Sequence, residues 1–206
     1  YQALQAQINP HMIYNTLNTI TSLARMQGVD NIEEVSESFT QLLHIVLKTE
    51  GDFLTLRQEL EYLSCYVAIK KYNTFQEIDL RFDVPQELLG EPILKLLLQP
   101  FVENAIRHGF PRSPRPGVIL VRVRRQPEGM AVSVTDNGCG MSREQAAALS
   151  TDAPPPENGH SIGVRNTVQR LALQYEGRYQ FYILSRPGHY TQINIVYPLE
   201  QKGGAS

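Results

Sequence analysis

Apolar residues recur at helical steps as far as position 72 and at strand-like steps beyond it, which divides the chain into a helical front and a mixed remainder. From Tyr1 to about Gln27, the residues Ile13, Leu17, Ile20 and Ala24 follow one another at steps of four, three and four and predict one buried stripe. Gln7, His11, Asn15, Asn18 and Ser22 fall on the other side, so His11 is expected to face outward. Pro10 lacks an N–H and crowds the turn before it, which predicts a kink just ahead of His11. Gly28 ends this helix, and a second carries Ile32, Val35, Phe39, Leu42 and Val46, its apolar face widened by Leu43 and Leu47. A hairpin of two such helices buries little by itself. Pairing with a second copy into a four-helix bundle, and hence a homodimer, is the expected solution.

Thr55 with Gln58 and Glu59 reads as a helix start, and Leu56, Leu60, Leu63 and Val67 mark the inner face of a helix running to about Tyr72. Strands are expected near 78–84, 118–125, 130–136, 179–185 and 190–197, with helices ending near His108, near 143–149 and at 162–175. Directly joined strand pairs imply a mixed, largely antiparallel sheet with helices on one face. The fold class is therefore α+β. Residues 1–54 form the helical hairpin, and 55–206, with the linking helix, form an α/β sandwich.

Composition narrows the picture. The 206 residues are 42% hydrophobic, enough for two small units, and the net charge of -2 supplies no basic field for a phosphate backbone. Nucleic acid is not an expected partner. Cys65 and Cys139 form no CxxC pair, which fits a reduced cytoplasmic compartment and two packing residues. No apolar run approaches the roughly 20 residues of a membrane helix. The chain opens at Tyr1 inside a helical pattern, so the expectation is that an N-terminal sensor region, holding membrane spans, has been removed. His44 reads as a helix-face residue, and Tyr62, Tyr66 and Tyr72 as core or interface.

Three segments of the second unit carry candidate chemistry. An apolar run from Leu96 to Val102 gives way to Glu103-Asn104-Ala105-Ile106-Arg107-His108-Gly109, with Glu103/Arg107 and Asn104/His108 as i,i+4 neighbours. An amide oxygen there can hold Mg²⁺ and the basic groups can meet phosphate oxygens; a solvated helix end is the plainer alternative. A strand runs into Asp136-Asn137-Gly138-Cys139-Gly140, where a carboxylate can accept from an adenine amino group, or simply begin a turn. Gly159-His160-Ser161-Ile162-Gly163 opens a helix, offering N–H groups to phosphates, or else a capped flexible loop.

In this order, the Asn-bearing helix, the Asp-x-Gly-x-Gly turn and the glycine loop resemble the nucleotide boxes of the gyrase, chaperone, histidine-kinase and mismatch-repair ATPase superfamily, whose fold is the Bergerat type. The stretch Gln5-Ala6-Gln7-Ile8-Asn9-Pro10-His11-Met12-Ile13-Tyr14-Asn15 resembles the phosphoacceptor motif of LytS/YesM-type sensor histidine kinases. The resemblance implies that His11 is phosphorylated from ATP, with Asn104 as Mg²⁺ ligand and Glu103 as its acidic neighbour; Glu103 is also the candidate for proton handling. It implies that Asp136 reads adenine and that Gly138 and Gly140 shape that pocket. Gly159, Ser161, Ile162 and Gly163 would then hold phosphates with Arg107 and His108, while Thr151 to His160 form a lid. Gly188-His189-Tyr190-Thr191 resembles the family's Gly-Thr hairpin, placing Thr191 at the pocket. Asn166 and Arg170 continue the family's helix pattern. Onward transfer to a response-regulator aspartate is implied as well.

Two positions depart from the pattern. Ser161 stands where the family has a glycine, and Met12 where many members have an aromatic residue. Phosphoryl transfer to histidine needs neutral imidazole, the form an exposed histidine mostly holds at cellular pH, so a strong general base is not required. The alternatives are a related ATPase without self-phosphorylation and, on the strength of Ser161, a dimeric pseudokinase scaffold.

Overall fold

The computed structural model describes residues 10–74, 77–110, 116–150 and 162–199. Helices α1 (Pro10–Gln27) and α2 (Asp30–Lys48) pack as a hairpin about Gly28, whose φ of +66° suits glycine in the tight connection. Arg25 ties the loop end by donating to Glu33 at 2.7 Å and Glu37 at 2.8 Å. Near the other end the rings of Tyr14 and His44 meet edge-on, centroids 6.5 Å apart. The two helices are therefore antiparallel. The expected Pro10 kink falls where the described residues begin.

The hairpin's apolar stripe divides in a way the periodicity did not foresee. Ala24, Leu42 and Ile45 are buried together with Ser36, while Ile20, Ile32, Phe39 and Leu47 stay exposed beside Met12, Leu23 and Met26. The reason is geometric: α2 packs on α1 and on α3 (Leu56–Thr74), and these two neighbours leave the rest of its broad apolar face uncovered.

Helix α3 begins as read. Thr55 and Gln58 form a reciprocal cap, with Thr55 N donating to Gln58 Oε1 at 2.9 Å and Gln58 N donating to Thr55 Oγ1 at 3.3 Å. Its inner face, Leu56, Leu60, Leu63 and Val67, enters the main core. Full burial of each such side chain contributes roughly 1.5–3 kcal/mol, enough to make α3 part of the second unit's packing.

That unit is built on a five-stranded sheet ordered β2-β4-β5-β7-β6, composed of β2 (Ile78–Asp83), β4 (Gly117–Gln126), β5 (Gly129–Asp136), β6 (Gln180–Arg186) and β7 (Tyr190–Tyr197). Only β2 and β4 run parallel; the other neighbours are antiparallel. Strict alternation buries Ile119, Val121 and Val123 of β4 and Met130, Val132 and Val134 of β5. Helix α4 (Gln99–Asn104) and helix α6 (Ile162–Gln174) contribute Phe101, Val102, Val164 and Leu171 to the same core, and α5 (Arg143–Ser150) packs against β6. A small antiparallel pair, β1 (Phe53–Thr55) with β3 (Pro92–Leu94), was not foreseen, because three residues are too few to show a strand period.

Candidate functional site

β5 ends at Asp136, where register pairs it with Ile119 of β4 and Thr191 of β7. Two neighbouring strands and a turn thus close over the carboxylate, leaving Asp136 only 6% exposed. Gly138 N donates to Oδ1 at 2.9 Å, and the Thr191 backbone hydrogen-bonds the same carboxylate. Burial pushes the Asp136 carboxyl up to about 6, while these two backbone bonds pull the other way. The hydroxyls of Thr191 and Ser185 lie 3.2 Å apart, and Met141 N donates to Ser185 Oγ at 2.9 Å, so the Thr191 strand is tied to the turn after Asp136.

The turn itself needs its glycines. A Cβ on Gly138 would lie 2.3 Å from Gly109 O, and one on Gly109 would lie 3.0 Å from Asp136 Oδ1. Gly140 adopts φ +63°, and a Cβ there would meet Arg186 O at 2.1 Å. Backbone bonds complete the contact: Cys139 N donates to Gly109 O at 2.7 Å, and Gly188 N to Cys139 O at 2.6 Å. Three segments, the end of α4, the turn after β5 and the β6–β7 hairpin, therefore meet backbone to backbone around one buried carboxylate. The carboxylate at their meeting point is an acceptor of the kind that can take a hydrogen bond from the amino group of a heterocycle. Cys139, expected to pack, is instead exposed, its thiol 3.1 Å from His108 O.

α4 does not end as an ordinary helix. After Asn104 it widens into a single π turn, Ala105–Gly109, which delivers Gly109 to the turn after β5. Arg107 Nη2 donates to Glu103 Oε1 at 3.0 Å, so the foreseen i,i+4 pair is present on an exposed face. Asn104 is half-buried, and its amide makes no hydrogen bond to a described residue. An uncommitted amide oxygen at this polar end fits a hard cation such as Mg²⁺, which takes oxygen ligands. His108 is half-buried beside it.

α6 opens at Ile162 next to the first turn of α4, a Cβ on Gly163 standing 3.4 Å from Pro100 Cβ. Gly159, Ser161 and the expected lid of Thr151 to His160 lie outside the described residues. His11 is exposed on α1, with the Asn15 amide 3.3 Å from its Nδ1.

Two features escaped the sequence reading. Gly109 was seen only as the end of a polar helix segment, yet Gly138 depends on it. Glu59 was read as part of a helix start, but it is fully buried and accepts from Leu96 N at 2.9 Å and Leu98 N at 2.8 Å. Burial pushes its carboxyl up to about 7, opposed by these backbone bonds and by Arg170. Its partners lie nearly forty residues away, and no local spacing announces them.

A mixed sheet with a buried carboxylate at the end of a strand, and a glycine turn packed against the end of an Asn-bearing helix, is the frame on which the family comparison rests. Residues 90–201 match the model for histidine kinase-, DNA gyrase B-, and HSP90-like ATPases, and the chain belongs to that family. Residues 1–78 match the model described as histidine kinase. Among curated relatives, sensor histidine kinase YesM of Bacillus subtilis (strain 168) is 30% identical over 197 residues, 96% of this chain and 33% of its own length. Sensor protein LytS of Staphylococcus saprophyticus is 27% identical over 171 residues, 82% of this chain and 29% of its own. The chain thus spans about a third of the length of these relatives. The histidine kinase domain of the Erythrobacter litoralis blue-light activated kinase superposes with a TM-score of 0.53 at 19% identity, covering 94% of this chain and 95% of that one, which shows a shared fold.

Proposed function

We propose that this chain is the catalytic part of a dimeric sensor histidine kinase, which transfers the γ-phosphoryl group of ATP to His11 and from there to a response-regulator aspartate. The observation that carries this reading is the buried Asp136 carboxylate beside the Gly109–Gly138 contact, where three backbone segments converge on a single acceptor. The units of the reading are 1–54, the phosphoacceptor and dimerisation hairpin, and 55–206, the ATP-binding unit. The homodimer is supported by the apolar residues that the hairpin leaves exposed, Leu23 and Met26 among them.

In the transfer, a lone pair of the neutral His11 imidazole forms the N–P bond as the bond between the γ-phosphorus and the bridging oxygen breaks, and ADP leaves. An Asn amide presents either oxygen or nitrogen after a half-turn. With its oxygen toward His11 Nδ1, Asn15 would accept that N–H and leave the Nε2 lone pair for attack. Asn104 would hold Mg²⁺, which when bound supplies charge neutralisation between phosphates. Glu103, paired with Arg107, would take the proton that the ring loses once the nucleotide meets His11. Arg107, His108, the α6 N-terminus at Ile162 and Gly163, and the segment carrying Gly159 and Ser161 would meet the phosphates. Thr191 holds Asp136 in place.

No helix among the described residues is long and apolar enough to cross a membrane. In this reading the chain is the cytoplasmic portion of a membrane-anchored sensor, as the kinship with named sensor kinases suggests. Phosphorylated chain mixed with an isolated receiver domain tests the relay: label should leave the chain and reach the receiver's aspartate. Label that stays on the chain with its own matched receiver contradicts the relay.

A further inference from the structure

Between β3 and α4, Lys95 and its neighbours touch three different helices. Lys95 Nζ donates to Val46 O at 2.8 Å and to Thr49 O at 2.9 Å, carbonyls at the C-terminal end of α2. Lys95 N donates to Asp52 O at 2.8 Å, and Lys95 O accepts from Arg170 Nη2 of α6 at 2.7 Å. One residue on, Leu96 sits at φ +57°, a left-handed conformation unusual for leucine, and Glu59 of α3 accepts from its N–H. Leu98 is bonded to the same carboxylate, and α4 begins at the next residue, ending at Asn104.

The place where Lys95 grips α2 matters. Tyr14 meets His44 across the hairpin, so His11, about one turn before Tyr14, lies alongside the last turn of α2. The carbonyls left over at a helix C-terminus are partial negative charges that a cation satisfies well. Lys95 meets no carboxylate among the described residues, and its charge is directed at these carbonyls. Thr49 Oγ1 covers a further one, Ile45 O, at 2.8 Å.

Resting on the reading of His11 as acceptor, we propose that Lys95 is a positioning residue for phosphoryl transfer, holding the His11-bearing end of the hairpin at a set place relative to the nucleotide pocket. It touches neither ATP nor His11. It acts through the backbone it joins: α2 on one side, and α6 and the start of α4 on the other. In a four-helix bundle both acceptor histidines are fixed to either hairpin, so the grip sets the geometry for transfer within or between protomers.

The test compares wild type, Lys95→Met and Lys95→Arg for ATP affinity by calorimetry and for the rate of labelling from γ-labelled ATP. Displacing the acceptor by an ångström should cost about 10- to 100-fold in kcat, while the dissociation constant for ATP stays within about twofold. Arginine keeps charge and donors and should restore most of the rate. If the Met variant melts below the assay temperature, Lys95→Gln, which keeps a donor without the charge, takes its place with the same expectation. Undiminished labelling of the Met variant, or a rate that falls only in step with ATP affinity, overturns the role of Lys95 alone. No label on wild type overturns the assignment of His11 as well.

Discussion

Asp136 stands opposite Thr191 in the β5–β7 register, and the Thr191 backbone hydrogen-bonds to its carboxylate inside a wall that leaves it 6% exposed. The carboxyl, raised to about 6, is mostly charged near neutral pH and takes up a proton only slightly below it. Protonation removes the charge that an adenine amino group would meet. ATP affinity is therefore expected to hold from about pH 8 to 7 and to weaken by roughly tenfold toward pH 5. Asp136→Asn should bind about 10- to 100-fold more weakly and lose this pH dependence, the cost of one charge-assisted hydrogen bond. Calorimetry across that range checks both; a steep profile retained in the variant would assign the titration to another group.

Glu59 makes a prediction about stability without nucleotide. Burial raises its carboxyl from 4.5 to about 7, so the contribution of this group is fully present below 4.5 and is lost as pH rises through about 7. Wild-type chain should unfold at progressively lower urea between about pH 5 and 8, and Glu59→Gln should flatten that part of the curve. Glu59→Ala strands the Leu96 and Leu98 amides, at an expected cost of about 2–5 kcal/mol. Urea denaturation of the three chains at several pH values measures it.

The glycines separate folding from binding. Gly138→Ala would drive a methyl against the Gly109 backbone and should cost about 1–3 kcal/mol as well as ATP binding. Gly163→Ala finds only Pro100 Cβ at 3.4 Å, so the chain should fold at least as stably, while its ATP affinity should fall as the proposed phosphate contact at the start of α6 requires. Thermal melts and nucleotide titration of both variants distinguish the two cases; equal loss of stability would remove the distinction.

The exposed apolar side of the hairpin predicts its oligomeric state. Met26 is 83% and Leu23 52% exposed in the single chain. Leu23→Asp with Met26→Asp should leave helicity unchanged and reduce the mass in solution from twice 23.3 kDa to 23.3 kDa. Equilibrium sedimentation reads this directly, and an unchanged dimer would place the interface elsewhere.

Local pattern explains which parts of this molecule were legible. The alternation in 118–125 and 130–136 marked β4 and β5 closely, since one buried face imposes a period of two. Asp136 and Gly138 were singled out because chemistry and spacing coincide over a few residues, and the structure brings them into one turn, Gly138 N donating to the Asp136 carboxylate. Glu59 and Lys95 were not, because what they bond, the amides of Leu96 and Leu98 and the carbonyls of Val46 and Thr49, becomes adjacent only when the helices pack. Ile32, Phe39 and Leu47 marked an apolar face that the single chain leaves exposed, the face for which the sequence reading expects a second copy. The π turn at Ala105–Gly109 has no sequence period of its own, and it makes Gly109 a partner of Gly138.

The central claim is that His11 accepts the γ-phosphoryl group, and the most direct measurement is incubation of wild type and His11→Gln with γ-labelled ATP and Mg²⁺. Label on wild type alone, lost in acid and retained in alkali as a phosphoramidate should be, is the predicted result. Label that persists on the variant, or that survives acid as a phosphoester does, would contradict it.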